Sequence, residues 1–315
     1  MIRVCLAMIH TGGGHFRQIH QSPSVEFGTP EQLPHADWLV VLDEPPRGYV
    51  TDVPRARRIA MLTESPEIKS YRSGYLEQFG TVISPMAISG YSGTVIRSHA
   101  ALPWLYGHED LADLAQLRPA QKACAVSVVI TRKTKTPLHR ARLKFVDLLQ
   151  RRLGDRLHVF GRGFHEIGNK REAIDPFKYH LALENNAQEN FWTEKIADAW
   201  LGWCLPLYSG CPNLTDYVPA EAFIRLELRS MSASIDTVER CLDEDPYDRR
   251  VPSIAVARQQ LLEQHNMFAL LERIILTLDP GAQGTRLSHP AELHSNGSFD
   301  LTGQLARRVR AAFNG

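Results

Sequence analysis

Short apolar runs rich in Val, Ile and Leu recur through the first third of the chain: IRVCLAMI, ADWLVVLDE, ARRIAMLTE and FGTVIS. Turns rich in Gly, Pro and Asp separate them, a pattern that predicts strands buried on both faces of a parallel sheet. The helical signal between them is weak except in SGYLEQFG, before Thr81. The stretch Leu117 to Ala123 is polar, contains a proline and reads as the linker. It divides the chain into 1–118 and 119–315, with the last helices free to pack back on the first domain. The second half opens with the strand-like ACAVSVVIT, a polar loop KTKTPLH and an amphipathic helix RARLKFVDLLQRRLG, in which Leu143, Val146, Leu149 and Leu153 fall near helical spacing. RLHVFG follows as a strand, and helical patterns dominate from Asp236 onward, notably SIAVARQQLLEQH and ALLERIILTL. The expectation is an α/β protein of two Rossmann-like domains with a ligand cleft at their junction, near the carboxyl ends of the strands.

Length and charge narrow the function. The 315 residues, 43% hydrophobic, can bury a sizeable core. Lys and Arg number 36 against 35 Asp and Glu, so a net charge of +1 offers no global field for nucleic acid or an anionic membrane. An anion must be caught by a local site. The N-terminus lacks the h-region and cleavage site of a signal peptide, and no run reaches the roughly 18 apolar residues of a membrane span. A cytoplasmic protein is expected, at most peripheral to the inner face of the membrane. Five widely spaced cysteines without CxxC indicate neither a disulfide framework nor a zinc site.

The most informative stretch runs from Phe177 to Asn213, FKYHLALENNAQENFWTEKIADAWLGWCLPLYSGCPN. It reads as a buried strand ending in Glu184 and Asn185, a polar loop Ala187 to Trp192, and a helix capped by Thr193 and beginning at Glu194. Ile196, Ala199, Trp200 and Trp203 supply the helix's buried face, and a second strand CLPLY ends in the turn SGCPN. A helix N-terminus beside a lysine can hold a diphosphate, and Glu194 can accept hydrogen bonds from ribose hydroxyls. The same residues also suit a plain capped, solvated first turn.

This stretch resembles the donor-binding signature of the alpha-1,3/4-fucosyltransferase family, glycosyltransferase family 10. The matching residues are Phe177, Lys178, Tyr179, Leu181, Glu184, Asn185, Thr193, Glu194, Lys195, Pro206, Gly210 and Pro212. The likeness continues through Pro219, Phe223 and Ile224 and through LDEDPYDRR. Upstream, TPLHRARLKFVDLL resembles the segment whose arginine binds the donor pyrophosphate; Arg142 matches it, with Arg140 as a rival. In the first half IAMLTESPEI resembles the segment of the catalytic base, and Glu64 is the matching acid. Phe191 stands where the family commonly has tyrosine, and RLELRS lacks the family's Asp.

The resemblance implies a GT-B architecture and inverting transfer of L-fucose from GDP-fucose to a glycan hydroxyl, with acceptors among cell-surface polysaccharides. It implies no cofactor and no required metal. Glu64 would be the base, and Arg142 and Lys195 would offset the charge of departing GDP. Glu194 and Asn185 would grip ribose or fucose hydroxyls, Glu184 would contact fucose or orient Lys195, and Thr193 and Tyr179 would complete the donor site. A transferase of another nucleotide sugar, or a non-catalytic relative, would share these features. Two other motifs read blandly: HTGGGH, His10 to His15, as a turn rather than a phosphate loop, and Asp243, Glu244 and Asp245 as a solvated cap rather than a metal-binding DxD.

Overall fold

The computed structural model describes residues 1–8, 22–101, 104, 106–107, 111–278 and 290–296. The HTGGGH motif lies outside them. The chain forms two compact units, the first taking the described residues of 1–100 and those from Glu272 on, the second spanning Ala101–Leu271.

In the first unit the apolar runs form β1 (Ile2–Met8), β3 (Trp38–Leu42), β5 (Arg58–Met61) and β6 (Thr81–Ser84), joined by β2 (Val25–Gly28) and β7 (Thr94–Arg97). They make one six-stranded sheet of order β2-β1-β3-β5-β6-β7, parallel throughout. All five residues of β3 are buried, as a strand covered on both faces requires. A separate pair joins β4 (Val50–Thr51) antiparallel to β13 (Ala291–Glu292). Beyond β13, Leu293 enters the core that holds Val53, Tyr75 and Phe79. The helical segment before Thr81 is a single turn, α1 (Ser73–Leu76).

The second unit begins with α2 (Leu111–Gln116) and is built on β8 (Ala123–Val129), β9 (Leu157–Phe160), β10 (Phe177–Leu183), β11 (Leu205–Ser209) and β12 (Ile224–Arg225). Its sheet is also all parallel, in the order β12-β11-β10-β8-β9. From β8 the chain passes through α3 (Pro137–Leu153) to β9, then returns past α4 (Arg171–Ile174) to β10 on the other side of β8. The connections after β8 and β10 therefore diverge, which makes the carboxyl ends of these two strands the topological switch point of the sheet. α3 starts at Pro137, three residues before the periodic pattern, because Thr136 and His139 form a reciprocal capping box and proline suits the first helical position. α5 (Glu194–Leu201) follows β10. α6 (Met231–Glu244), α7 (Tyr247–Gln260), a π-helical turn Leu261–His265 and α8 (Met267–Leu278) complete the chain's helices among the described residues.

Three sequence expectations are corrected. The described residues of 104–118 belong with the second unit: Leu114 sits in its core, and Leu117 O accepts from Trp203 Nε1 at 3.2 Å. The supposed linker is likewise packed, since Lys122 is buried and donates to the carbonyls of Ile174 (3.1 Å) and Asp175 (2.7 Å). The described residues from Glu272 on group with the first unit, on which the sequence leaves the last helices free to pack. Trp203 lies beyond α5 with a left-handed backbone, φ 58°. Among the described residues no helix is long and apolar enough to cross a membrane.

Candidate functional site

β10 delivers a carboxylate to this switch point. Glu184 follows the buried run of the strand, is 1% exposed, and is held by its own N–H on Ser209 O at 2.8 Å. Its Oε1 accepts from Thr193 N and Thr193 Oγ1, both at 2.8 Å, and its Oε2 lies 3.3 Å from Lys195 Nζ. A buried carboxylate is tolerable only with such compensation. Gly210 makes room for it: a Cβ there would lie 2.5 Å from both Glu184 Cγ and the Tyr208 hydroxyl.

α5 delivers the lysine. Thr193 is its N-cap, and the Lys195 ammonium meets Thr193 Oγ1 at 3.0 Å and Glu194 Oε1 at 3.2 Å. Burial opposes the charge on Lys195, but Glu184 and Glu194 outweigh it and push its pKa up. Burial likewise opposes ionised Glu194, yet Lys195 and then Lys170 hold its carboxyl down at about 2. Both groups are therefore charged at neutral pH.

α3 contributes Arg142. It is buried, its Nε has no hydrogen-bond partner among the described residues, and burial lowers its pKa against the opposing pull of Glu184 and Glu194. Arg140 is exposed and donates to Thr134 O at 2.9 Å, so Arg142 is the arginine that joins the carboxylates. The sheet thus gathers Arg142, Glu184, Thr193, Glu194 and Lys195, with half-buried Asn185 next to Glu184. Lys170, from the loop before α4, is a further cation near Glu194 and is anchored on buried Asp198 at 2.6 Å. Sequence reading missed it, because only the fold joins positions 28 residues apart.

The loop before α5 is fixed from the far side. Asn190, at φ 61°, donates to Asn213 Oδ1 at 2.8 Å and accepts from Tyr217 OH at 2.8 Å. Phe191 is buried packing, 3% exposed. Tyr179 corrects an expectation: it is fully buried, and its hydroxyl is spent on Asp245 at 2.6 Å, so it braces β10 instead of meeting a ligand. Asp245 itself ends α6 in a left-handed conformation and also binds Lys178 at 2.6 Å. Asp243 pairs with Arg156 at 2.9 Å and Glu244 with Arg249 at 3.7 Å, so the acidic run is divided among separate cations at a helix C-terminus. No group of three or more potential metal ligands occurs among the described residues.

Beside α3 lies a cavity of about 520 Å³, lined by apolar Leu143, Val146, Val159 and Phe164 and by polar Arg132, Thr134, Asp147 and Gln150. The Arg132 guanidinium lies 4.5 Å from the centre of the Phe164 ring. In the first unit, Glu64 is half-buried just beyond the carboxyl end of β5, while Glu67 is exposed.

The architecture is GT-B-like, two α/β units each built on a parallel sheet. An alpha1,3-fucosyltransferase with GDP-fucose superposes with a TM-score of 0.55 at 13% identity, covering 91% of this chain and 93% of that one. A glycosyltransferase from Rickettsia africae gives 0.52 at 9% identity, covering 90% and 99%. Such identities speak for the fold alone.

Residues 119–246 match the family model described as glycosyltransferase family 10 (fucosyltransferase) C-term, and the chain resembles that family. The 4-galactosyl-N-acetylglucosaminide 3-alpha-L-fucosyltransferase 9 of Cricetulus griseus is 30% identical over 92 residues, 28% of this chain and 25% of the relative. The alpha-(1,3)-fucosyltransferase FucT of Helicobacter pylori is 26% identical over 76 residues, 24% of this chain and 16% of the relative. The chain thus spans a quarter or less of the length of these relatives.

Proposed function

We propose that the protein is an inverting glycosyltransferase that moves L-fucose from GDP-fucose to a glycan hydroxyl. The observation that carries this reading is the charged cluster at the carboxyl end of β10, where Lys195 pairs with Glu184 and Glu194 and Arg142 is buried with an unmatched N–H. Arg142 and Lys195 would meet the diphosphate, and the Thr193-capped start of α5 adds N–H groups of the same polarity. The cavity beside α3, lined by Leu143, Val146, Val159 and Phe164, would take the nucleobase. Asn185 and Glu194 would take hydroxyls of ribose or fucose.

In the reaction the acceptor oxygen attacks the anomeric carbon as the bond from that carbon to the β-phosphate oxygen breaks. The electron pair leaves with GDP, where two fixed cations offset the growing charge without a metal. The acceptor proton passes to Glu64. GDP release from GDP-fucose in the presence of N-acetyllactosamine, read with product NMR, tests the reading. An α-linked fucoside is expected, in EDTA as well as without it, and GDP-mannose and UDP-sugars should support little turnover. Preference for another sugar nucleotide would overturn the donor assignment, and loss of activity in EDTA restored by Mn2+ would overturn the metal-free mechanism.

A further inference from the structure

Asp43 is the residue immediately after β3, and its backbone is left-handed, φ 57°, a conformation costly for a residue with a side chain. Two contacts hold it there: its N–H donates to Met61 O at 2.9 Å, and its carbonyl accepts from the Tyr75 hydroxyl at 2.7 Å. The side chain is then spent entirely on one neighbouring segment. Oδ1 accepts from Thr63 N at 2.8 Å and from the Tyr71 hydroxyl, and Oδ2 accepts from the Thr63 hydroxyl. The adjacent Glu44 repeats the pattern, binding Lys69 at 2.7 Å, and the Lys69 ammonium lies 5.3 Å over the Tyr71 ring. Inside the segment, Ser65 O accepts from the N–H groups of Ile68 and Lys69, each at 2.9 Å.

Thr63 and Tyr71 are thus both tied to one carboxylate, and Glu64 lies in the stretch between the ties. Burial first, then Asp43, then the charge of Glu64 push the Tyr71 pKa up. The hydroxyl therefore stays protonated as a donor, and Glu64 is close enough for its charge to be felt. With both oxygens of Asp43 occupied, it is poorly placed to take a proton from a substrate.

We infer that Asp43 is a positioning residue, which sets the direction of the Glu64 carboxylate by holding the Thr63 to Tyr71 segment at both ends. The inference rests on the reading of Glu64 as the base of the proposed transfer. A residue acting only through Glu64 should matter only when Glu64 can act, which a plain stabilising role does not predict. Asp43→Asn keeps the shape but turns one acceptor into a donor that faces Thr63 or Tyr71.

The test is a cycle of Asp43→Asn, Glu64→Gln and the double variant, with GDP release from GDP-fucose and N-acetyllactosamine as the rate and calorimetric GDP affinity as the control. Asp43→Asn should lower kcat about 10- to 100-fold, as small misplacements of a catalytic group do. GDP affinity should be unchanged, and adding Asp43→Asn to Glu64→Gln should cost nothing further. Tyr71→Phe, the milder change, should show a smaller loss with the same dependence on Glu64. An equal loss in both backgrounds, or wild-type turnover in Asp43→Asn when Glu64→Gln is inactive, overturns the positioning role. If Glu64→Gln itself turns over normally, the base assignment fails first. Hydrogen exchange of the amides from Thr63 to Tyr71 reads the holding contact without turnover: at least tenfold faster exchange is expected in Asp43→Asn, and unchanged exchange overturns the inference.

Discussion

Lys195 is paired with Glu184 and Glu194, while Arg142 stands near the same carboxylates with an unmatched Nε–H. Each of Arg142→Ala and Lys195→Ala is expected to weaken GDP binding by about 1.5 to 3 kcal/mol, roughly 10- to 150-fold, by titration calorimetry. Unchanged affinity in both would move the nucleotide elsewhere. Glu194 makes the pH dependence specific. Its pKa falls from 4.5 to about 2 on folding, so its contribution to stability is complete above about pH 4.5 and is lost as pH falls from there through 2. Glu194→Gln should flatten the acid limb of stability in that window, measured by urea unfolding at stepped pH. At this scale Thr193, Glu194 and Lys195 were legible because a cap, an acid and a lysine at a helix start have a local physical meaning. Tyr179 was not, since the same motif gives no sign that its ring points into the core; nor was Lys170, whose partner Asp198 is near only in three dimensions.

Strands and helices define where those residues stand. The central strands were readable because burial on both faces demands continuous apolar runs, as in β3. The edge strand β7, exposed or half-exposed at every position, carries no such demand and leaves no such pattern. Trp203, expected on α5, falls two residues beyond its last residue at positive φ, and glycine at 202 permits the close approach there, since a Cβ would lie 2.2 Å from Ile174 Cγ2. The turn after β11 links geometry to binding. Gly210→Ala should force Glu184 and Tyr208 apart, with a stability loss of roughly 1 to 3 kcal/mol by denaturant unfolding and weaker GDP binding in the protein that remains folded. Wild-type values of both would mean the turn yields without disturbing Glu184.

The division of the molecule was the least legible feature, because a sequence boundary is sought in composition while a structural one follows contacts. The polar stretch at 117–123 lies inside the second unit, and the first unit recovers the residues around β13 from the far end of the chain. Leu293 fills part of the first unit's core at 2% exposure. Leu293→Ala should therefore cost about 2 to 5 kcal/mol. Hydrogen exchange should localise the loss to β1, β3 and β5, with β8, β10 and β11 unaffected. Equal loosening of both sheets would show that the units do not unfold separately.

The pairing of Thr51 with Ala291 also bears on how the protein is made. These partners are separated by 240 positions. Translation at about 5 to 20 residues per second puts roughly 12 to 48 seconds between their emergence from the ribosome. The first unit begins to appear earliest, yet it lacks β13 and Leu293 until almost the whole described chain has been synthesised. The second unit, whose strands lie in one continuous stretch, can finish first. In the interval β4 is an unpaired strand edge, open to a holding chaperone or to a neighbouring nascent chain. Pulse-labelled ribosome-bound chains ending near residue 280 should accordingly show a protease-resistant second unit and a protease-sensitive first one.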